Sequence, residues 1–136
     1  STDLYPTILD LLELPLCPEQ HVDGKSLKPL LNGAAFLQRE AIYFHYPHYH
    51  HINSMGPSGA IRKGDYKLIE IFETGEYELY NVRKDIEEKN NLVKIMPGLA
   101  KKMVQSLHKW QVESNARLNS INRNYDANQD FRKKKK

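Results

Sequence analysis

The sequence predicts a two-layer α+β fold: a small four-stranded antiparallel sheet covered by a C-terminal helix and preceded by two shorter helices. Three observations carry that expectation. Short segments between Ile42 and Val82 have the alternation and the β-branched and aromatic content of strands. The turns between the last three of them, Gly64-Asp65 and Thr74-Gly75-Glu76, are too short for a parallel crossover, which needs about a dozen residues, so neighbours run antiparallel as a meander. Farther on, Leu99, Met103, Leu107 and Trp110 recur at helical spacing, the stripe a helix needs to cover one face of a sheet.

In chain order, Ser1 to Leu14 places Leu4, Ile8, Leu11 and Leu12 on one helical stripe aimed at a core. Thr2 or Asp3 is positioned to cap this helix, and Pro6 falls in the first turn, where its missing N–H costs little. The helix stops before Pro15, because the residue preceding a proline is pushed out of the α region. Pro15 to Gly24 is loop with a turn at Asp23-Gly24, and Ser26 to Leu31 is a second helix, capped by Ser26 and ended by Gly33.

The first strand, Ile42 to Tyr46, sets Ile42, Phe44 and Tyr46 on one face and Tyr43 and His45 on the other. Pro47 ends its pairing, and His48 to Ser58, with Asn53, Gly56 and Pro57, is expected to be a long exposed loop. Ala60 to Lys63, Tyr66 to Phe72 and Tyr77 to Val82 complete the sheet. Arg83 to Val93 is charge-rich and folds into a turn at Asn90-Asn91-Leu92, after which Pro97 suits the first turn of the covering helix. Beyond Ser114 the apolar stripe fades into a polar, extended or frayed tail.

With 136 residues and 40% hydrophobic content, the chain can bury one modest core, as one domain or a piece of a larger one. The formal charge is +3, and the closing RKKKK run supplies more than that excess, so the body gives no electrostatic footprint for nucleic acid. There is no apolar run of about 18 residues, hence no helical membrane span. The opening STDLYPT has neither a basic region nor a cleavage pattern, so no signal peptide is visible. It starts without Met, straight into a helical pattern, as an internal fragment does. The single cysteine, Cys17, makes no internal disulfide.

Several local strings, in order, resemble one family. STDLYPTILDLLELP, VDGKSLKPLLNG, FHYPHY, SGAIRKGDYKLIE, ELYNVRKDIEEKNNL and the late helix containing Trp110 are similar to the C-terminal third of type I sulfatases of the arylsulfatase class, bacterial type. The resemblance spans roughly Ser1 to Asp126. It implies that residues 1–33 are the trailing helices and loop of an alkaline-phosphatase-like α/β catalytic domain, residues 34–118 the C-terminal subdomain, and residues 119–136 a polar basic tail.

It also implies a parent enzyme, exported to the periplasm or outside the cell, that hydrolyses aryl or carbohydrate sulfates. In such enzymes a calcium ion and a formylglycine, made from the cysteine of a Cys-x-Pro/Ala-x-Arg motif, sit in the N-terminal domain. There, preorganised cationic groups stabilise charge on the sulfate. That motif is absent: Cys17 lies in CPEQH, without the arginine or the proline spacing, and reads as a structural thiol. The calcium cluster and the catalytic lysine of the family belong upstream of Ser1. Asp3 suits a helix N-terminus and Asp23 a turn, and together with Asp10 they do not make a metal set. No catalytic residue, metal ligand or cofactor is therefore assigned to this chain, which is expected to be inactive alone. Its expected partners are the N-terminal sulfatase domain and a sulfated carbohydrate or aryl sulfate.

The candidate site is the run HYPHYHH. Imidazoles and phenols supply hydrogen bonds and flat apolar faces that suit sugar or aryl groups. The resemblance puts this strand end on the rim of the substrate cleft, which assigns His45, Tyr46, His48 and Tyr49 a substrate-binding role. Besides the plainest reading, polar loop residues with one packed histidine, two others of the run stay open. One is a non-catalytic carbohydrate- or polyanion-binding module using the same loop. The other is a metal site built from His45, His48, His50 and His51, against which stands the adjacency of the last pair, whose side chains diverge in an extended chain. Arg62 to Lys67 reads as a solvated hairpin edge, Trp110 as core, and Asp85, Glu87 and Glu88 as loop and helix-entry hydrogen-bonding groups.

Overall fold

The computed structural model describes residues 2–49, 56–120 and 122–126. His50, His51, Asn53 and the RKKKK terminus lie outside the described residues. The chain divides into two compact units, Ser1–Arg39 and Glu40–Lys136.

In the first unit, helix α1 runs over Leu4–Leu11 and helix α2 over Lys28–Leu31. Asp3 is the N-cap residue of α1, yet its side chain makes no capping bond, contrary to the role expected for it. Its carboxylate accepts the backbone N–H of Lys25 at 2.9 Å and a two-pronged bond from Arg39 instead. A bidentate guanidinium is the stronger partner, and it holds the Asp3 carboxyl below its usual range. Helix α1 closes three residues short of the predicted end. Glu13 takes a left-handed conformation (φ 57°), Leu14 N–H donates to Leu9 C=O at 2.9 Å, and a Schellman turn forms before Pro15 can act.

Helix α2 starts later than predicted. Ser26 sits two residues ahead of it and accepts the Lys28 N–H on its hydroxyl at 3.1 Å, while the Ser26 hydroxyl itself donates to Asp10. Gly33 terminates it with φ 91°, as its permissive backbone allows. The predicted stripe of α1 is at the surface in this unit: Leu4, Ile8, Leu11 and Leu12 are each half or more exposed.

The second unit is an antiparallel meander of β1 (Ile42–Tyr46), β2 (Ser58–Lys63), β3 (Tyr66–Ile71) and β4 (Glu76–Asn81), in the order β1-β2-β3-β4. Strand β2 begins two residues earlier than the predicted Ala60, so Ser58 leaves the expected loop and Pro57 is buried. The pairing brings Tyr43, Ile61, Leu68 and Leu79 into one row across the sheet and His45, Gly59, Glu70 and Tyr77 into the next. Both rows lie on the face covered by α3 (Pro97–Glu113), where Ile61, Leu68, Leu79, Ala100, Met103 and Leu107 form the core. Alternation of period two and a stripe of period 3.6 meet there, each supplying one side of the same dry layer.

Both ends of α3 are set by local chemistry. Pro97 opens it, and Asn115 (φ 52°) closes it, with Ala116 N–H donating to Gln111 C=O at 2.8 Å. The outer edge of β4 is occupied: Asn91 Oδ1 accepts the Leu79 N–H at 3.1 Å, and Leu92 N–H donates to Leu79 C=O at 2.7 Å. The NNL turn expected from the sequence thus blunts an edge that would otherwise offer free backbone groups.

Candidate functional site

Strand β1 bonds only to β2 within the sheet, and its far end carries the His/Tyr run. Its position is held from the helix side. The ring of Tyr43 stacks on Trp110 of α3 with centroids 5.0 Å apart and planes 2° from parallel. Burial there pushes the Tyr43 phenol above its ordinary pKa.

The period of the strand separates the candidate residues. His45 faces α3, with its ring centroid 5.4 Å from that of Phe72 and its Nε2 2.9 Å from the Arg117 carbonyl. A carbonyl only accepts, so Nε2 carries the proton, and in the neutral ring Nδ1 is the acceptor. That Nδ1 is buried without a partner. Tyr46 is on the opposite face, its ring 5.8 Å from His48 in an edge-to-face arrangement at 85°. His48 and Tyr49 are exposed. The structure therefore brings Tyr46 and His48 together with Tyr49 next in the chain, and sets His45 behind them on the packed side.

The chain after α3 participates in this end of the sheet. Asn119 Nδ2 donates to the Pro47 carbonyl at 2.8 Å, next to the His45 contact with Arg117. Pro47 has no N–H and terminates the β1 ladder, which leaves its carbonyl to be satisfied from outside the sheet. Two hydrogen bonds therefore tie the Arg117–Asn119 stretch, expected to mark the onset of a frayed tail, to the candidate site.

A second set of polar groups is not apparent from the sequence. Glu70 Oε1 pairs with His108 Nε2 at 2.9 Å and accepts the Tyr77 hydroxyl at 3.3 Å, while burial and the neighbouring carboxylate push the Tyr77 phenol up. Gln111 on α3 is 6% exposed. The signals that could have found them are a charged residue two after Leu68 in a core-facing alternation and an amide four after Leu107 on the helical stripe. Both look like errors in an apolar pattern, which is where a polar function shows.

Among the described residues no group of three or more His, Cys, Asp or Glu side chains is arranged to hold a metal ion. The Cys17 thiol donates to the Pro15 carbonyl at 3.8 Å. The described residues therefore offer no donor set that fits a calcium ion, and Cys17 lies outside a formylglycine motif.

The second unit is thus a meander of four strands under one long helix, with an aromatic and imidazole-rich strand end. Residues 1–115 match the family described as N-sulphoglucosamine sulphohydrolase, C-terminal, and the chain belongs to that family. It is 32% identical over 130 residues to a sulfatase of Formosa agariphila, covering 85% of this chain and 23% of that one. Against an N-acetylglucosamine-6-O-sulfatase of Bacteroides thetaiotaomicron it is 34% identical over 98 residues, 68% of this chain and 17% of the other. The solved structure of a protein in complex with its substrate D-glucosamine-2-N,6-O-disulfate superposes with a TM-score of 0.63 at 29% identity, over 81% of this chain and 23% of that one. The chain thus spans about a quarter or less of the relatives it matches.

Proposed function

We propose that this chain is the C-terminal part of an enzyme that hydrolyses sulfate esters of carbohydrates, and that it forms a rim of the substrate cleft rather than the centre where the S–O bond breaks. Residues 1–33 then close the N-terminal catalytic domain, residues 34–118 form the subdomain, and residues 119–136 are a tail whose first residue, Asn119, braces the rim. On this reading the exposed apolar face of Leu4, Ile8, Leu11 and Leu12 packs on the catalytic domain, where burial of such side chains contributes about 1.5–3 kcal/mol each. The catalytic domain supplies the formylglycine and calcium, and the parent acts in the periplasm or outside the cell.

The observation that carries this reading is the edge-to-face Tyr46–His48 pair beside exposed Tyr49, at the open end of an edge strand in a chain of this family. A flat phenol and an imidazole side by side offer a stacking face and hydrogen bonds to a sugar ring. A sulfated carbohydrate is favoured over a simple aryl sulfate by the relatives, one of which is an N-acetylglucosamine-6-O-sulfatase.

The test is sulfate release by the full-length protein from 6-sulfated glucosamine and from an aryl sulfate. The sugar ester should be preferred, and Tyr46→Ala and His48→Ala should each raise KM several-fold with kcat nearly unchanged, the mark of lost uniform binding. Residues 1–136 alone should release none. Absence of sulfate release by the full-length protein from either ester would refute the reading, and an unchanged KM in both variants would remove the rim from it.

A further inference from the structure

The sheet has two apolar faces, and α3 covers one of them. On the other, the pairing sets Phe44, Ala60 and Ile69 in one row, with Ile42 beside Arg62 in the row on one side and Tyr46 in line with Ile71 on the other. An antiparallel sheet with one face in water alternates apolar with polar residues along its strands. Strands β1 and β3 break that rule, because Ile42, Phe44, Ile69 and Ile71 occupy the outward positions. Phe44 is 54% exposed, and the three isoleucines are half-buried and outside the core, whereas Ile61, Leu68 and Leu79 on the helix side are fully buried. A contiguous apolar patch of this kind marks a contact surface.

The same face carries a charge in need of a partner. Arg62 stands directly across the ladder from Lys67, and like charges so placed destabilise a sheet. Glu88 neutralises Lys67 at 2.8 Å, while Arg62 is exposed and makes no ion pair among the described residues. A surface that is apolar at its centre with one unmatched guanidinium at its border is complemented by an apolar surface bearing a carboxylate.

Two observations select the occupant. Tyr46, assigned above to the rim of the substrate cleft, projects from this face, so the cleft and the rest of the enzyme approach from this side and not from the side of α3. On the proposed reading, moreover, most of the polypeptide precedes Ser1, since this chain spans about a quarter or less of its relatives.

We infer that the sheet face opposite α3 is the seat of the part of the polypeptide that precedes Ser1, and that a carboxylate of that part meets Arg62. The inference rests on the proposed function in taking this chain as the C-terminal part of a longer enzyme. Its test is accessibility, which is read without any sulfate release. Phe44→Cys and, as an exposed reference on α3, Gln105→Cys are made separately in the full-length protein, and alkylation by iodoacetamide is followed at each position by peptide mass spectrometry. Neither position belongs to the core, so the fold tolerates both changes.

Alkylation at position 44 should be at least about tenfold slower than at position 105, because a thiol reacts only where the reagent reaches it. Arg62→Glu, added to Phe44→Cys, should restore most of the lost rate by setting two carboxylates against each other, and Arg62→Lys should not. A photoreactive benzoylphenylalanine in place of Phe44 should cross-link to residues preceding Ser1 within the same chain. Equal alkylation at the two positions, protection untouched by Arg62→Glu, or a cross-link joining two copies of the protein overturns the inference. A protein that is protected but hydrolyses no sulfate ester fails the proposed function alone, and one that hydrolyses the ester without protection fails this inference alone.

Discussion

Trp110 is the sole tryptophan of the chain, and its stack with Tyr43 ties α3 to the edge strand that carries the candidate rim. With centroids 5.0 Å apart and planes 2° from parallel the two rings are stacked, and such a pair is worth about 0.5–1.5 kcal/mol beyond the area it buries. Trp110→Leu and Tyr43→Leu each leave an apolar side chain while removing one ring, and the burial each loses cancels in a double-mutant cycle, which isolates the coupling between the rings. Urea denaturation followed by far-UV circular dichroism is the suitable assay, since the fluorescent probe is itself removed. A coupling of about 1 kcal/mol, at an m-value of roughly 1–3 kcal/mol/M, corresponds to about 0.3–1 M of non-additivity in the midpoints. In the full-length protein, on the proposed function, Trp110→Leu should also raise KM more than it lowers kcat, because the strand end loses its anchor and the catalytic centre is left in place. Additive midpoints, with coupling under about 0.3 kcal/mol, would show that the stack is only shared burial and that β1 is held by its ladder to β2.

Other perturbations have separate outcomes. Leu107→Ala, at a fully buried position, should cost about 2–5 kcal/mol in chemical denaturation. Gly75→Ala should cost about 1 kcal/mol from backbone strain alone, since its φ is +71° and an added Cβ meets nothing within 4 Å. The Arg39 guanidinium holds the Asp3 carboxyl below its ordinary value. The stability this pair contributes is therefore complete above the unfolded carboxyl range and is lost as pH falls through the lowered folded value. Urea midpoints below about pH 4 should fall less steeply for Asp3→Asn than for the parent. Burial raises the phenols of Tyr43, Tyr77 and Tyr80, so their contribution holds below about pH 10 and disappears as pH rises through the raised folded values. Spectrophotometric titration of the tyrosines should show these phenols ionising above the others.

The sheet and its covering helix are legible in the sequence because each is specified by a short-range rule that burial reinforces. Leu68 and Leu79 sit where alternation puts them, and Met103 and Leu107 where the helical stripe does. Sequence and structure part company at element ends, where two local signals compete. Pro15 is the obvious breaker for helix α1, yet the left-handed turn at Glu13 closes it first. Nothing in a glutamate announces that conformation, which non-glycine residues adopt only when hydrogen bonds such as Leu14 to Leu9 offset it. Asp3 reads as a cap because proximity to a helix start is visible in sequence, whereas Arg39, thirty-six residues away, is not.

The site is legible as composition and illegible as geometry, for a reason that begins with Pro47. A run of His and Tyr reads as one cluster, but period-two alternation sends His45 under the sheet and Tyr46 over it, and Pro47 then releases His48 and Tyr49 from the ladder. The carbonyl that Pro47 frees is claimed by Asn119, and the ring that alternation hides is claimed by the Arg117 carbonyl. Both claims come from a stretch seventy-two residues on, whose polar composition suggests no fixed place. On the proposed function, the rim then has its binding groups on one strand end and its orientation set by the segment after α3. The Asn119 amide bonds the Pro47 carbonyl rather than the ring of Tyr46 or His48, so its substitution should act on sugar affinity only through the position of Pro47. Asn119→Ala in the full-length protein should therefore raise KM for 6-sulfated glucosamine at nearly constant kcat, and a KM equal to the parent's would show that Pro47 holds the rim without this brace.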